Sequence, residues 1–475
     1  MYSKFDYDKN LIKCCPSPRQ LAIQQMEFYA FIHFSVNTFT DSEWGDGTED
    51  EILFNPTEFN ANQWVDALKK AGIKGLILTC KHHDGFCLWP SAYTEHSVKN
   101  SPFRNGKGDV VREVSDACAK AGIKFGIYLS PWDRNHADYG KGKPYDDYFC
   151  NQLNELLTNY GDIFAVWFDG ACGEGPNGKQ QVYNWNRYYE LIREKQPMAC
   201  ISICGPDVRW CGNEAGDTRE SEWSVLPTEF MTPDEVAANS QHEDTTGFRE
   251  KKINYKLRDL GSREYLFGAK NYRWYPSETD TSIRPGWFYH KSEDNLVSSP
   301  DTLIDLWYRT VGGNSMLLLN IPPDRRGLLH ENDVHNLEIL GDYIRKTFAV
   351  NLATNAKIIS DKDDGFHTCE ALKADNYDSY YKTVDGDNTA VITFTFDKLS
   401  DVSHVVLKEH IPMSQRVEAY IIEAKLSDGS WVQLSNGTTI GYKKIEKFEP
   451  IKTEAIRVSI TDSRVSPVLS FIGIY

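Results

Sequence analysis

No run of about 18 apolar residues occurs in this chain, so no helix of membrane-spanning length is encoded. Basic residues are in short supply: 52 Lys and Arg face 68 Asp and Glu, a formal net charge of −16. That balance argues against nucleic acid as a partner, because phosphate contacts need clustered cations. The acidity itself reads as a solubility feature. The 11 cysteines form no repeated Cys-x-x-Cys spacing. Neither a disulfide framework nor a zinc knuckle is indicated, and the thiols read as small core residues. No His-x-His or His-Glu-x-x-His spacing occurs either. The opening Met1-Tyr2-Ser3-Lys4-Phe5 lacks the apolar core of a signal peptide. The expectation is a cytoplasmic chain or one whose leader has been removed.

At 475 residues the chain exceeds one ordinary core, and two domains are expected. In the first part, apolar runs of strand length end in polar groups. Phe28 to Ile32 ends in His33, and Gly75 to Thr79 leads into Lys81-His82-His83-Asp84-Gly85-Phe86. Lys124 to Leu129 ends in Ser130-Pro131-Trp132-Asp133, and Ile163 to Phe168 ends in Asp169-Gly170. The segment Ala-Gly-Ile-Lys occurs at 71–74 and again at 121–124, each time closing a helix and opening a strand. Asn60 and Asp109 suit N-caps of those helices, and Gly72 and Gly122 suit left-handed ends. Further strands are expected at Ala199–Ile203, Glu264–Phe267 and Ser315–Leu319, with helices opening at Ser299 and running from Val334 to Phe348. Repeated units of this kind predict an α/β fold, a (β/α)8-like barrel over residues 1–348. From 349 to 475 short alternating strands predict an all-β sandwich: Ala390 to Phe396, Val402 to Leu407, Arg416 to Leu426, and Ala455 to Thr461. Of the 12 Trp residues only Trp431 lies there, so the aromatic lining belongs to the first domain.

The strand ends and adjoining loops offer His33, Glu43, Trp44, His82, His83, Asp84, Tyr128, Trp132, Trp167 and Asp169. Two chemistries fit such a set. Metal-assisted hydrolysis needs ligands converging on one point, and adjacent histidines on an extended strand point opposite ways. Glycoside hydrolysis needs two carboxyl groups in a pocket that bonds hydroxyls and stacks on a sugar face, which this set suits better. Asp169 is the candidate nucleophile, with an N-cap role as the alternative. For its partner, spacing leaves Glu214, Asp217, Glu220 and Glu222 open.

His33-Phe34-Ser35, Glu43-Trp44-Gly45, Lys81 to Phe86, Trp167-Phe168-Asp169-Gly170 and Leu317-Leu318-Leu319-Asn320 together resemble the α-L-fucosidases of glycoside hydrolase family 29. The stretches Gly205 to Glu222 and Arg284 to His290 resemble the subgroup preferring α-1,3- and α-1,4-linked fucose on branched glycans. The resemblance implies a retaining exo-fucosidase with Asp169 as nucleophile and Glu214 as acid/base. It implies that His33, Glu43, Trp44, His82, His83, Tyr128 and Trp167 grip the fucose. Trp287 is expected to border the pocket, and Arg209 and Trp210 to meet the rest of the glycan. The implied partner is a fucosylated oligosaccharide, with no metal or other cofactor. A broad-specificity fucosidase and a non-catalytic fucose lectin are the alternatives. Relatives acting on external glycans imply a periplasmic or secreted setting. The C-terminal part resembles galactose-binding-like sandwiches, which suggests buttressing of the barrel or glycan binding.

Overall fold

The computed structural model describes residues 4–244, 246–252 and 259–475. Eight parallel strands form a barrel wall: β1 (Phe28–Ile32), β2 (Gly75–Lys81), β3 (Lys124–Leu129), β4 (Ile163–Phe168), β5 (Cys200–Ile203), β6 (Arg209–Trp210), β7 (Ser277–Ser282) and β8 (Ser315–Asn320). Their order round the wall is β5-β4-β3-β2-β1-β8-β7-β6. A single parallel bridge, Ser202 to Val208, closes the ring between β5 and β6. Asp207 braces that seam. Its carboxylate accepts the Ile201 amide (2.8 Å) and pairs with Arg19 (2.9 Å) and Arg193.

Local chemistry accounts for the outer helices. Asn60 accepts the amides of Asn62 and Gln63 at the start of helix Ala61–Ala71, and Gly72 ends it at φ +82°. Asp109 and Gly122 bound helix Val110–Ala121 in the same way. Trp64, Val65, Leu68 and Ala71 are buried beneath the first helix. Each large apolar side chain so buried contributes on the order of 2 kcal/mol. Pro300 follows the cap Ser299, where its missing N–H costs nothing.

Two expectations about strands are corrected. Residues 264–267 are not a strand: Arg263–Leu266 is a single helical turn capped by Ser262, and Phe267 is exposed with no neighbouring strand to cover it. The wall is completed instead by β6 and by β7, whose sequence Ser-Glu-Thr-Asp-Thr-Ser is polar throughout yet largely buried. In the second domain the two strands expected at 390–396 and 402–407 are one continuous strand, Ala390–Glu409, with its register against Lys444–Ser463 shifted between Thr395 and Ser400.

The antiparallel domain packs around Ile358, Phe394, Leu407, Val417, Ile456 and Val458. It grips the barrel at several places. Below β1, Glu27 pairs with Lys443 (3.1 Å). Beside the loop after β6, Gln415 accepts the Ser224 amide (2.8 Å) and Thr438 bonds the Ser221 hydroxyl. Asn314, at the start of β8, ties both sides together by donating to Glu222 O (2.6 Å) and accepting the Tyr442 amide (2.7 Å).

Candidate active site

At the carboxyl ends of the strands lies a small pocket walled by Phe31, His33, Trp44, His82, His83, Trp167, Asp169, Ala171, Glu214, Gln241, Asp280 and Trp287. Ligand sites of α/β barrels lie at this face.

Asp169 follows β4. Its Oδ2 accepts the Tyr128 hydroxyl (2.9 Å) and its Oδ1 the Ala171 amide (2.8 Å). The N-cap alternative is overturned, because the next helix, Trp185–Lys195, is capped by Asn184. Burial raises the Asp169 carboxyl, while the Ala171 amide and the Tyr128 hydroxyl pull it back. Tyr128 is fully buried and holds Asp169.

Glu214 faces the pocket from the loop after β6. Asn213 shapes that loop by accepting the amides of Ala215 (3.0 Å) and Asp217 (3.1 Å). Gly212, at φ +107°, makes the turn that a side chain would strain. Glu214 Oε2 accepts the Trp287 indole N–H (3.1 Å). Its pKa is raised to about 7, by burial first and by the charge of Asp169 as a lesser cause. The competitors are elsewhere. Glu222 is fully buried between Arg209 and Arg219; burial raises it, but the two guanidinium groups outweigh that and hold it ionised. Glu220 is exposed and Asp217 half-buried, and neither lines the pocket.

Three imidazoles form one wall. His33 Nδ1 meets Asn320 Oδ1 (2.8 Å), an oxygen that can only accept, so Nδ1 carries the hydrogen. His83 Nδ1 meets Ser130 Oγ (2.7 Å), whose own hydrogen goes to Trp132 O (2.6 Å). Both rings therefore keep a bare Nε2. Burial lowers all three histidines, His33 to about 4 and His83 to about 3, so they are neutral at pH 7. His82 and His83 do not diverge: both follow the end of β2, and their ring centroids lie 4.1 Å apart.

Glu43 is engaged by the turn that carries Trp287. Its oxygens take the amides of Trp287 (2.8 Å) and Phe288 (3.0 Å), His290 Nε2 (2.8 Å) and Arg249 (3.0 Å). Three hydrogen bonds and the ion pair with Arg249 make Glu43 the anchor of the Trp287 turn. Trp287 in turn spans the mouth, with its ring 5.2 Å from His33. Trp44 stands edge-on to His83 at 5.6 Å. Trp167 stacks on Tyr128 at 5.4 Å and donates to Glu278 Oε1 (2.7 Å).

Arg209 and Trp210 are corrected too. Arg209 is fully buried against Glu222, and the buried Trp210 donates to Asp280 Oδ1 (2.7 Å). Neither is available to a glycan. Sequence reasoning missed Asp280, Glu278, Gln241 and Arg249. The first two lie on the polar strand β7, where i and i+2 share a face.

A barrel whose strand ends bring two unlike carboxyl groups, imidazoles and indoles into one pocket defines a glycoside hydrolase site. The alpha-L-fucosidase family profile matches residues 21–347. Alpha-L-fucosidase 1 of Arabidopsis thaliana is 39% identical over 469 residues, covering 97% of this chain and 87% of the plant protein. A putative alpha-L-fucosidase structure from Bacteroides ovatus is 46% identical with a TM-score of 0.86, covering 100% of this chain and 76% of that one. A Ruminococcus gnavus GH29 fucosidase in complex with fucose is 30% identical with a TM-score of 0.83, covering 97% and 95%. The chain belongs to the α-L-fucosidase family, GH29.

Proposed function

We propose that the protein is a retaining exo-α-L-fucosidase. The observation that carries this reading is the unlike pair, Asp169 held by two donors and Glu214 raised to about 7 in the same pocket. Asp169, as carboxylate, attacks the anomeric carbon of a terminal fucose, and its Oδ2 forms or flanks the new ester bond. Glu214, as carboxylic acid, gives its proton to the departing glycosidic oxygen. Glu214 then takes a proton from water, which hydrolyses the fucosyl ester and frees Asp169. In a complex the two carboxyl groups should lie about 5–5.5 Å apart. The bare Nε2 atoms of His33 and His83 accept hydroxyl hydrogens, and Trp44, Trp167 and Trp287 cover the methyl and C–H face. The small pocket favours a single terminal sugar. The α-1,3/1,4 preference rests on the likeness of the loops at 205–222 and 284–290 to that subgroup, no longer on Arg209 or Trp210. The fucose-bound relative supports fucose as the sugar held here.

The test is fucose release from a 4-nitrophenyl fucoside, an α-1,2-fucosylated galactoside and branched Lewis-type trisaccharides. Release mainly from the branched sugars is expected. Equal activity on all three would replace the linkage preference with broad specificity, and silence from folded protein would leave a fucose lectin. Asp169→Ala should lose roughly 10⁴-fold in kcat. Azide should restore part of it with an inverted product, and near-wild-type turnover would sink the assignment.

A further inference from the structure

Behind Glu214 the barrel holds two more carboxyl groups, both on β7. Glu278 is fully buried one layer down, bonded by the Tyr29 hydroxyl and the Trp167 indole. Asp280 is 3% exposed and lines the pocket itself. Its Oδ1 accepts the Trp210 indole N–H. Among the described residues, the charged groups that act most strongly on Asp280 are Glu214 and Glu278.

We propose that Asp280 is a substrate-binding residue that works as a neutral carboxylic acid, donating its Oδ2–H to an oxygen of the bound sugar beside Glu214. The proposal rests on the reading of Asp169 and Glu214 as the reacting pair. If the nucleophile is to keep its negative charge, the neighbouring carboxyls cannot all be ionised in one desolvated pocket where Arg249 is already paired with Glu43 and Asp244. Desolvation first, and next the repulsion that a charge on Asp280 would meet whenever Glu214 or Glu278 is ionised, hold the Asp280 carboxyl well above the usual range. A neutral acid can donate where an ionised carboxylate can only accept. The imidazole wall presents acceptors, so this carboxyl supplies the opposite face of the sugar with a donor. A sugar lacking the matching oxygen would leave that donor unpaired and be rejected.

The test compares the full-length wild type with Asp280→Asn, Asp280→Ala and Glu214→Gln. Asn keeps a neutral donor, so Asp280→Asn should retain about 10-fold more kcat/KM than Asp280→Ala. Ala leaves the Trp210 N–H orphaned and removes the donor, and kcat/KM should fall about 10- to 100-fold. A loss in Asp280→Asn as deep as in Asp280→Ala, or as deep as in Glu214→Gln, would overturn the proposal. Infrared difference spectra at pH 7 supply a readout independent of turnover. Wild type with isotope-labelled aspartate should show the C=O band of a protonated carboxyl, and adding fucose should shift it. An absent band, or one that fucose leaves unmoved, would also overturn the proposal, even if the Asn variant failed to fold. If wild type released no fucose while the band appeared and shifted, the glycosidase reading alone would fail.

Discussion

Single carboxyl groups carry two consequences that can be measured through pH. Glu214, the proposed acid, can give a proton only while protonated, and its pKa is raised to about 7. Turnover of oligosaccharides, whose leaving oxygen needs that proton, should fall tenfold per pH unit above about pH 7. A 4-nitrophenyl fucoside leaves without help and should show a weaker alkaline limb; identical limbs in the two kcat/KM profiles would argue against Glu214 as acid. Glu278 makes a different prediction, about stability. Burial raises it to about 7, against two hydrogen bonds that lower it. The folded state therefore holds this proton more tightly than the unfolded chain. The stability tied to Glu278 is whole below the unfolded carboxyl pKa and is lost as pH rises towards the folded value, about 3 kcal/mol in all. Glu278→Gln removes that dependence, so its melting temperature should gain on wild type between pH 5 and pH 8. A constant gap would mean that Glu278 is already ionised.

At the scale of elements, the turn Arg284 to His290 matters most, because it hangs Trp287 between two carboxylates. Glu43 holds its backbone and Glu214 receives its indole. A Cβ on Gly286 would come within 2.6 Å of Glu43 Oε1. Gly286→Ala should displace Trp287 and lower kcat/KM about 10- to 100-fold with little change in melting temperature; unchanged kinetics would remove the turn from the site. How much was legible in the sequence differs by element for physical reasons. The strands β1 to β5 and β8 announce themselves as apolar runs, because they are buried on both faces. The run β7 does not, because its interior face carries Glu278 and Asp280 for the pocket, and no periodicity of apolar residues marks it. Asp169 and the histidines were legible because they follow strands directly. The bracing role of Glu43 was not, since its partners Arg249, Trp287, Phe288 and His290 lie some two hundred residues away in the chain. Arg209 misled for the opposite reason: a cation on an active-site loop looks free until Glu222 is seen against it.

Over the whole molecule, the C-terminal domain is coupled to the chemistry through the loop that carries Glu214. Gln415 and Thr438 hold Ser224 and Ser221, and Asn314 bonds the Glu222 carbonyl. Loosening that clasp should cost activity before it costs fold. Gln415→Ala is expected to lower kcat on oligosaccharides several-fold while fucose binding is kept, and a chain ending at residue 348 should lose fucose release altogether. A truncated chain with full turnover would make the second domain dispensable to catalysis.

The barrel seam has a mechanical meaning. A cylinder joined by one bridge is most compliant at its slit, and here the slit runs between β5 and β6. Asp169, the proposed nucleophile, stands one stave from one lip, and Glu214, the proposed acid, hangs from a loop rooted in the other. The gap between them is the length that divides retention of configuration from inversion. Asp207, with its two arginines, is the rivet across that slit, so loosening it should widen the gap between the proposed pair.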